Sequence, residues 1–123
     1  MPRTFLLAGA LAGLVGVAFG AFGAHGLRGR LSPDMLAVFE TGVRYQMYHA
    51  LALMLLAAIM MTGRVESARA FAIAGWSFVG GIVLFSGSLY LLAVTGITVL
   101  GAVTPIGGVA FLLGWACLVI AML

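Results

Sequence analysis

Eleven side chains in this sequence have the types that chemistry needs: His25 and His49, the pair Glu40 and Arg44, the phenols Tyr45, Tyr48 and Tyr90, the amide Gln46, and the hydroxyls Ser86, Ser88 and Thr104. Glu40 and Arg44 stand four residues apart with the acid first, the favourable order for an ion pair along one helix face, and Tyr48 continues that row. His49 lies nine residues beyond Glu40, about 900° of helix rotation, so a straight helix turns it to the opposite face and a Glu40–His49 acid–base dyad is not expected. His25 and His49 could both reach one end of a helix bundle, where paired imidazoles can bind haem or a metal ion, but nothing else completes a ligand set. Nucleophile elbows, phosphate loops, HExxH and paired intramembrane carboxylates do not occur. The side chains therefore point to binding or packing more than to catalysis, and no cofactor is expected.

The elements that must position these groups follow from composition. Of 123 residues, 64% are hydrophobic and 7% are charged, with six Arg, no Lys and three acids. A soluble domain carries about a quarter charged residues, so no water-facing surface can be built from this chain. The charges sit at Arg3, Arg28, Arg30, Asp34, Glu40, Arg44, Arg64, Glu66 and Arg69, which leaves uncharged runs over 4–27, 45–63 and 70–123. A spanning helix needs about 20 apolar residues, so the first two runs supply one span each and the third supplies two, broken near Val94-Thr95-Gly96-Ile97-Thr98. The expected fold is an all-α membrane protein, an antiparallel four-helix transmembrane bundle with short loops, in one domain over residues 1–123. Its helices are expected at 5–26, 33–61 with the membrane part at 45–61, 70–94 and 100–122.

The first apolar run exceeds the roughly 7–15 residues of a secretory signal core and is read as a retained helix. Its Gly9, Gly13, Gly16, Gly20 and Gly23 alternate spacings of four and three, which gathers them within roughly an 80° arc. Because lipid is as apolar as Leu, membrane helices associate by close packing, and such a seam lets another backbone approach. Gly80 and Gly81 offer a second approach point on the third helix. Ser32-Pro33-Asp34 has the composition of a helix start, and a helix from Pro33 to Met61 is about 43 Å long, more than the hydrocarbon core requires. Pro105, followed by Gly107 and Gly108, is expected to kink the fourth helix by removing a backbone hydrogen bond to Gly101. Cys117 reads as a small buried filler.

Antiparallel order puts the end of the first span, the start of the second, the end of the third and the start of the fourth on one membrane side. His25, Glu40, Arg44, Tyr48, His49, Ser86, Ser88, Tyr90 and Thr104 all fall in that half, with His49, Ser88 and Thr104 expected roughly 5–10 Å inside the bilayer. Polar groups at depth are costly unless they face the bundle interior or water, so this grouping predicts a polar half-pocket for a small solute or lipid, opening to one side. The competing reading is that these residues satisfy one another and the backbone. A third possibility is an accessory subunit that packs on a larger membrane complex or on its own copies through the glycine faces. No inverted repeat supports alternating access. A nucleic-acid partner is excluded by the lack of a basic stripe. Arg3, Arg64 and Arg69 on one side against Arg28, Arg30 and Arg44 on the other favour an N-terminus inside by a narrow margin.

The segments GAFGAHGL at Gly20–Leu27, FETGVRYQMYHAL at Phe39–Leu51, FSGSLY at Phe85–Tyr90 and TPIGG at Thr104–Gly108 together resemble one family along essentially the whole chain. It is the small bacterial membrane family known as domain of unknown function 423, similar to the eukaryotic transmembrane protein 256. The resemblance implies a four-helix protein of about this length in the bacterial plasma (inner) membrane, and it implies no activity, substrate or cofactor. Its motifs fall on His25, Glu40, Arg44, Tyr48, His49, Ser86, Ser88, Tyr90, Thr104 and Pro105, which suits a shared site and shared packing equally.

Overall fold

A computed structural model describes residues 1–123, and all four spans are present: α1 Pro2–His25, α2 Pro33–Met61, α3 Ala68–Thr95 and α4 Thr98–Met122. The chain is an all-α, multi-pass membrane protein with no strand. The Ser32 hydroxyl accepts the Met35 N–H at 3.2 Å and Pro33 occupies the first turn, so α2 begins where the Ser-Pro-Asp signature puts it. The α3–α4 turn is made by Gly96 in the left-handed conformation at φ 71°. Helix α1 starts at Pro2, α3 at Ala68 and α4 at Thr98, each two or three residues before the position expected from sequence.

Each interface sets an aromatic or sulfur-bearing side chain into a glycine. Along α1, a Cβ on Gly9 would lie 2.8 Å from the Ala50 carbonyl oxygen, one on Gly16 would strike Met47, and one on Gly23 would meet the Phe39 ring at 3.1 Å. The falling numbers on α2 show the two helices to be antiparallel. Between α3 and α4 the contacts alternate: Phe78 fills the space at Gly114, Phe111 the space at Gly81, and the Phe85 backbone abuts Gly107. Phe5 of α1 occupies Gly75 of α3, and Tyr90 of α3 occupies Gly42 of α2. Close approach of backbones is how helices gain packing energy when no hydrophobic drive separates protein from lipid. The seam residue Gly13, and Gly80 on α3, meet nothing within 4 Å.

Two departures from regular α-helix shape the bundle. Residues Ile82–Ser86 form one π-helical turn within α3, which re-aims the side chains after it. In α4 a 3₁₀ turn, Thr98–Ala102, precedes the α-helical part, Thr104–Met122, and Pro105 lies in the first turn of that part. Pro105 thus stands where the 3₁₀ turn gives way to α-helix, and in that first turn its missing N–H is one of the donors that has no intrahelical partner anyway.

The contacts of α1 also set depth. Gly9 packs at Ala50–Met54, Gly16 at Gln46–Met47 and Gly23 at Phe39. A core about 30 Å thick takes about 20 residues of α1, whose centre near Leu14 is then level with His49. The packing of α1 on α2 thus sets His49 level with the centre of α1, and Glu40 and Arg44 level with Gly20 and Gly23 near its end.

Candidate functional site

The polar side chains of the expected half-pocket do not converge on one cavity. Ser86 and Tyr90 face α2. The Ser86 hydroxyl donates to the Gly42 carbonyl at 2.6 Å, the Tyr90 hydroxyl donates to Gln46 Oε1 at 2.6 Å, and Gln46 Nε2 donates to the Ala12 carbonyl of α1 at 2.8 Å. One amide thus ties three helices, through the gap that Gly16 leaves open. Ser88 and Thr104 join α3 to α4 by a 2.6 Å bond between hydroxyls. No buried side-chain nitrogen or oxygen lacks a partner. Ser86, Ser88, Tyr90 and Thr104 thus take part in bonds between helices, and Ser88 and Tyr90 also line a mainly apolar groove of about 550 Å³.

The charged members lie elsewhere. Glu40 and Arg44 are exposed and border a shallow groove of about 230 Å³ between α1 and α2, floored by Phe19, Gly20 and Gly23. Their side chains do not pair with each other. Tyr48 is exposed and packs edge-on against Tyr45, ring centroids 5.8 Å apart. His25 is exposed in the last turn of α1. That turn is level with the start of α2, so ten residues of helix, about 15 Å, separate Phe39 beside Gly23 from His49. The two imidazoles do not share a ligand position.

His49 remains, and its surroundings were not visible in the sequence. Only 4% exposed, it stacks on Phe111 with ring centroids 3.6 Å apart and planes inclined by 9°. Its Nδ1 lies 2.7 Å from the Tyr45 carbonyl, and its Nε2 lies 3.1 Å from Trp115 Nε1. A carbonyl only accepts and an indole N–H only donates, so the network assigns the proton to Nδ1 and leaves Nε2 as acceptor. His49 also forms one wall of a laterally open groove of about 410 Å³ between α2 and α4, with Tyr45, Phe85, Phe111 and Trp115 as aromatic walls and Pro105 and Gly108 along its length. Phe85 reaches the groove from the π-helical turn of α3. Trp115 is 46% exposed on the lipid side.

Tyr45, Gln46, Phe85, Phe111 and Trp115 are the residues that sequence reasoning left out of the half-pocket. A signal for Trp115 did exist. Tryptophan in membrane helices gathers at the headgroup level, and one well inside a span needs an acceptor for its N–H.

The family described as "Protein of unknown function (DUF423)" has a sequence model that matches residues 19–108. The chain belongs to this family. The domain of unknown function 423 match covers Tyr45, His49, Phe85, Pro105 and Gly108 of the groove, and Val109, Phe111, Leu112 and Trp115 lie beyond it. Among curated relatives, the UPF0382 membrane protein YwdK of Bacillus subtilis is 48% identical over 119 residues, covering 97% of this chain and 95% of its own length. A UPF0382 membrane protein of Staphylococcus aureus is 48% identical over 97% of this chain and 94% of its own length, and one of Staphylococcus epidermidis is 48% identical over 98% and 96%. No solved structure matches the chain.

Proposed function

We propose that this protein is a membrane-embedded binding module of the bacterial inner membrane, with its N-terminus inside, that admits a small lipid-phase molecule sideways into the groove between α2 and α4. The observation that carries the reading is His49, an ionisable side chain level with the centre of α1 that walls a laterally open aromatic groove. Intramembrane ionisable groups are rare and mark ligand or proton sites. The groove has the volume of a small-molecule site, mainly apolar with few polar groups to fix orientation. The reading replaces a water-facing half-pocket over nine residues with a lipid-facing groove around one of them.

A second reading, an accessory subunit of a larger complex or homo-oligomer without chemistry of its own, draws support from Gly13, Gly80 and Gly87, which have open space where a Cβ would stand. The Gly9–Gly16–Gly23 seam does not serve that role, because α2 already occupies it. Purification from native membranes in gentle detergent, with mass spectrometry of every bound small molecule and co-eluting protein, separates the two. The binding reading expects a small molecule that is reduced severalfold in His49→Phe. A stoichiometric protein partner with no small molecule overturns it in favour of the second.

A further inference from the structure

We propose that the groove recognises a planar hydroxylated ring, a phenol or hydroquinone carried in the lipid phase, whose hydroxyl inserts between His49 Nε2 and Trp115 Nε1. The inference rests on the lateral-binding reading and names the ligand class.

Three features select the class. The first is donor–acceptor logic. Nε2 of His49 accepts and the indole N–H of Trp115 donates, at 3.1 Å from each other. A guest that separates them must give a proton to the imidazole and take one from the indole. A hydroxyl does both, whereas an ether or carbonyl can only accept and would leave Nε2 unsatisfied in a medium without water. The Nδ1 proton is committed to the Tyr45 carbonyl at 2.7 Å, so the imidazole presents Nε2 as an acceptor and no free donor.

The second feature is depth. His49 is level with the centre of α1, which on the lateral-binding reading puts it roughly 15 Å from either edge of a hydrocarbon core about 30 Å thick. A phospholipid headgroup does not reach there, and an acyl chain that does has nothing to donate. A lipid-soluble ring with a hydroxyl meets both conditions.

The third is shape. Tyr45, Phe85 and Phe111 present ring faces and edges to the groove, and Gly108 removes the side chain that would otherwise narrow it. Trp115 is half-exposed, so its indole has room to move outward, at the expense of part of its contact with Phe78. Flat rings in such surroundings gain from offset and edge-on contacts beyond their buried area.

The test uses the full-length protein in phosphatidylcholine nanodiscs and two probes that differ by one methyl group, 4-octylphenol and 4-octylanisole. Binding is read from Trp115 emission in a Trp76→Phe background, and repeated with the unmodified protein. Trp76 packs against Phe5, away from the groove. The expected result is saturable binding of the phenol, about tenfold tighter than that of the anisole, with the difference abolished in His49→Phe. Equal, saturable binding of both probes overturns hydroxyl recognition while leaving lateral binding intact. Absence of saturable binding by either probe overturns both. If His49→Phe does not fold, the ratio between the two probes on the unmodified protein decides.

Discussion

At position 49 an imidazole has both ring nitrogens in hydrogen bonds, one to its own helix and one to a tryptophan on α4, 66 residues away. Removing the acceptor strands the Trp115 N–H in hydrocarbon. Interhelical hydrogen bonds in membrane proteins measure about 0.6 kcal/mol on average and up to about 1.7, because the unfolded reference state also finds partners. His49→Phe, which keeps a ring against Phe111, is therefore expected to cost about 1 kcal/mol by reversible unfolding in bilayer-like detergent. It should also shift Trp115 emission to the blue in a Trp76→Phe background. The bond between Ser88 and Thr104 provides a comparison free of aromatic packing. A double-mutant cycle with Ser88→Ala and Thr104→Val is expected to give a coupling of about 0.6 kcal/mol. The chemical types of these residues were readable in the sequence, but their partners were not. His49 meets Trp115, Gln46 meets Tyr90 and Ser86 meets Gly42 across 44 or more residues, and no local spacing encodes such pairings.

Among the helices, the glycines separate into those that touch a neighbour and those that do not, although sequence periodicity treats them alike. Gly9 and Gly13 belong to the same α1 seam, yet only Gly9 lies against the α2 backbone. Gly9→Ala is expected to destabilise by about 1–3 kcal/mol through overpacking. Gly13→Ala should be neutral or stabilise by up to about 1 kcal/mol, since alanine favours helix and the site is open. Thermal unfolding of the two variants side by side checks the contrast. The α2 start was legible because Ser32, Pro33 and Asp34 act within one turn, and the α3–α4 turn because Gly96 alone supplies its positive φ. The π-helical turn at Ile82–Ser86 was not legible. It lies where the Phe85 backbone abuts Gly107 and Ser86 reaches Gly42, contacts on two different helices. Pro105 was legible as a break but not its form: the sequence did not show that a 3₁₀ turn, Thr98–Ala102, comes before it.

For the whole molecule, composition dictated the membrane and the run lengths dictated four crossings, because uncharged stretches near 20 residues have few other uses. Depth was the quantity that sequence could not supply. Charges at Glu40 and Arg44 suggested that the bilayer begins after them, whereas the packing of α1 on α2 sets His49 level with the centre of α1, where it walls the groove between α2 and α4. On the proposed function, a mid-bilayer position of His49 is what makes the groove a lipid-phase site. It is tested most directly by depth-dependent quenching of Trp115 in the Trp76→Phe protein, reconstituted in bilayers whose lipids carry bromine at successive acyl positions. The account predicts strongest quenching from bromines near the acyl-chain ends, with little effect of aqueous iodide. Strongest quenching near the headgroups, or efficient quenching by iodide, would contradict it.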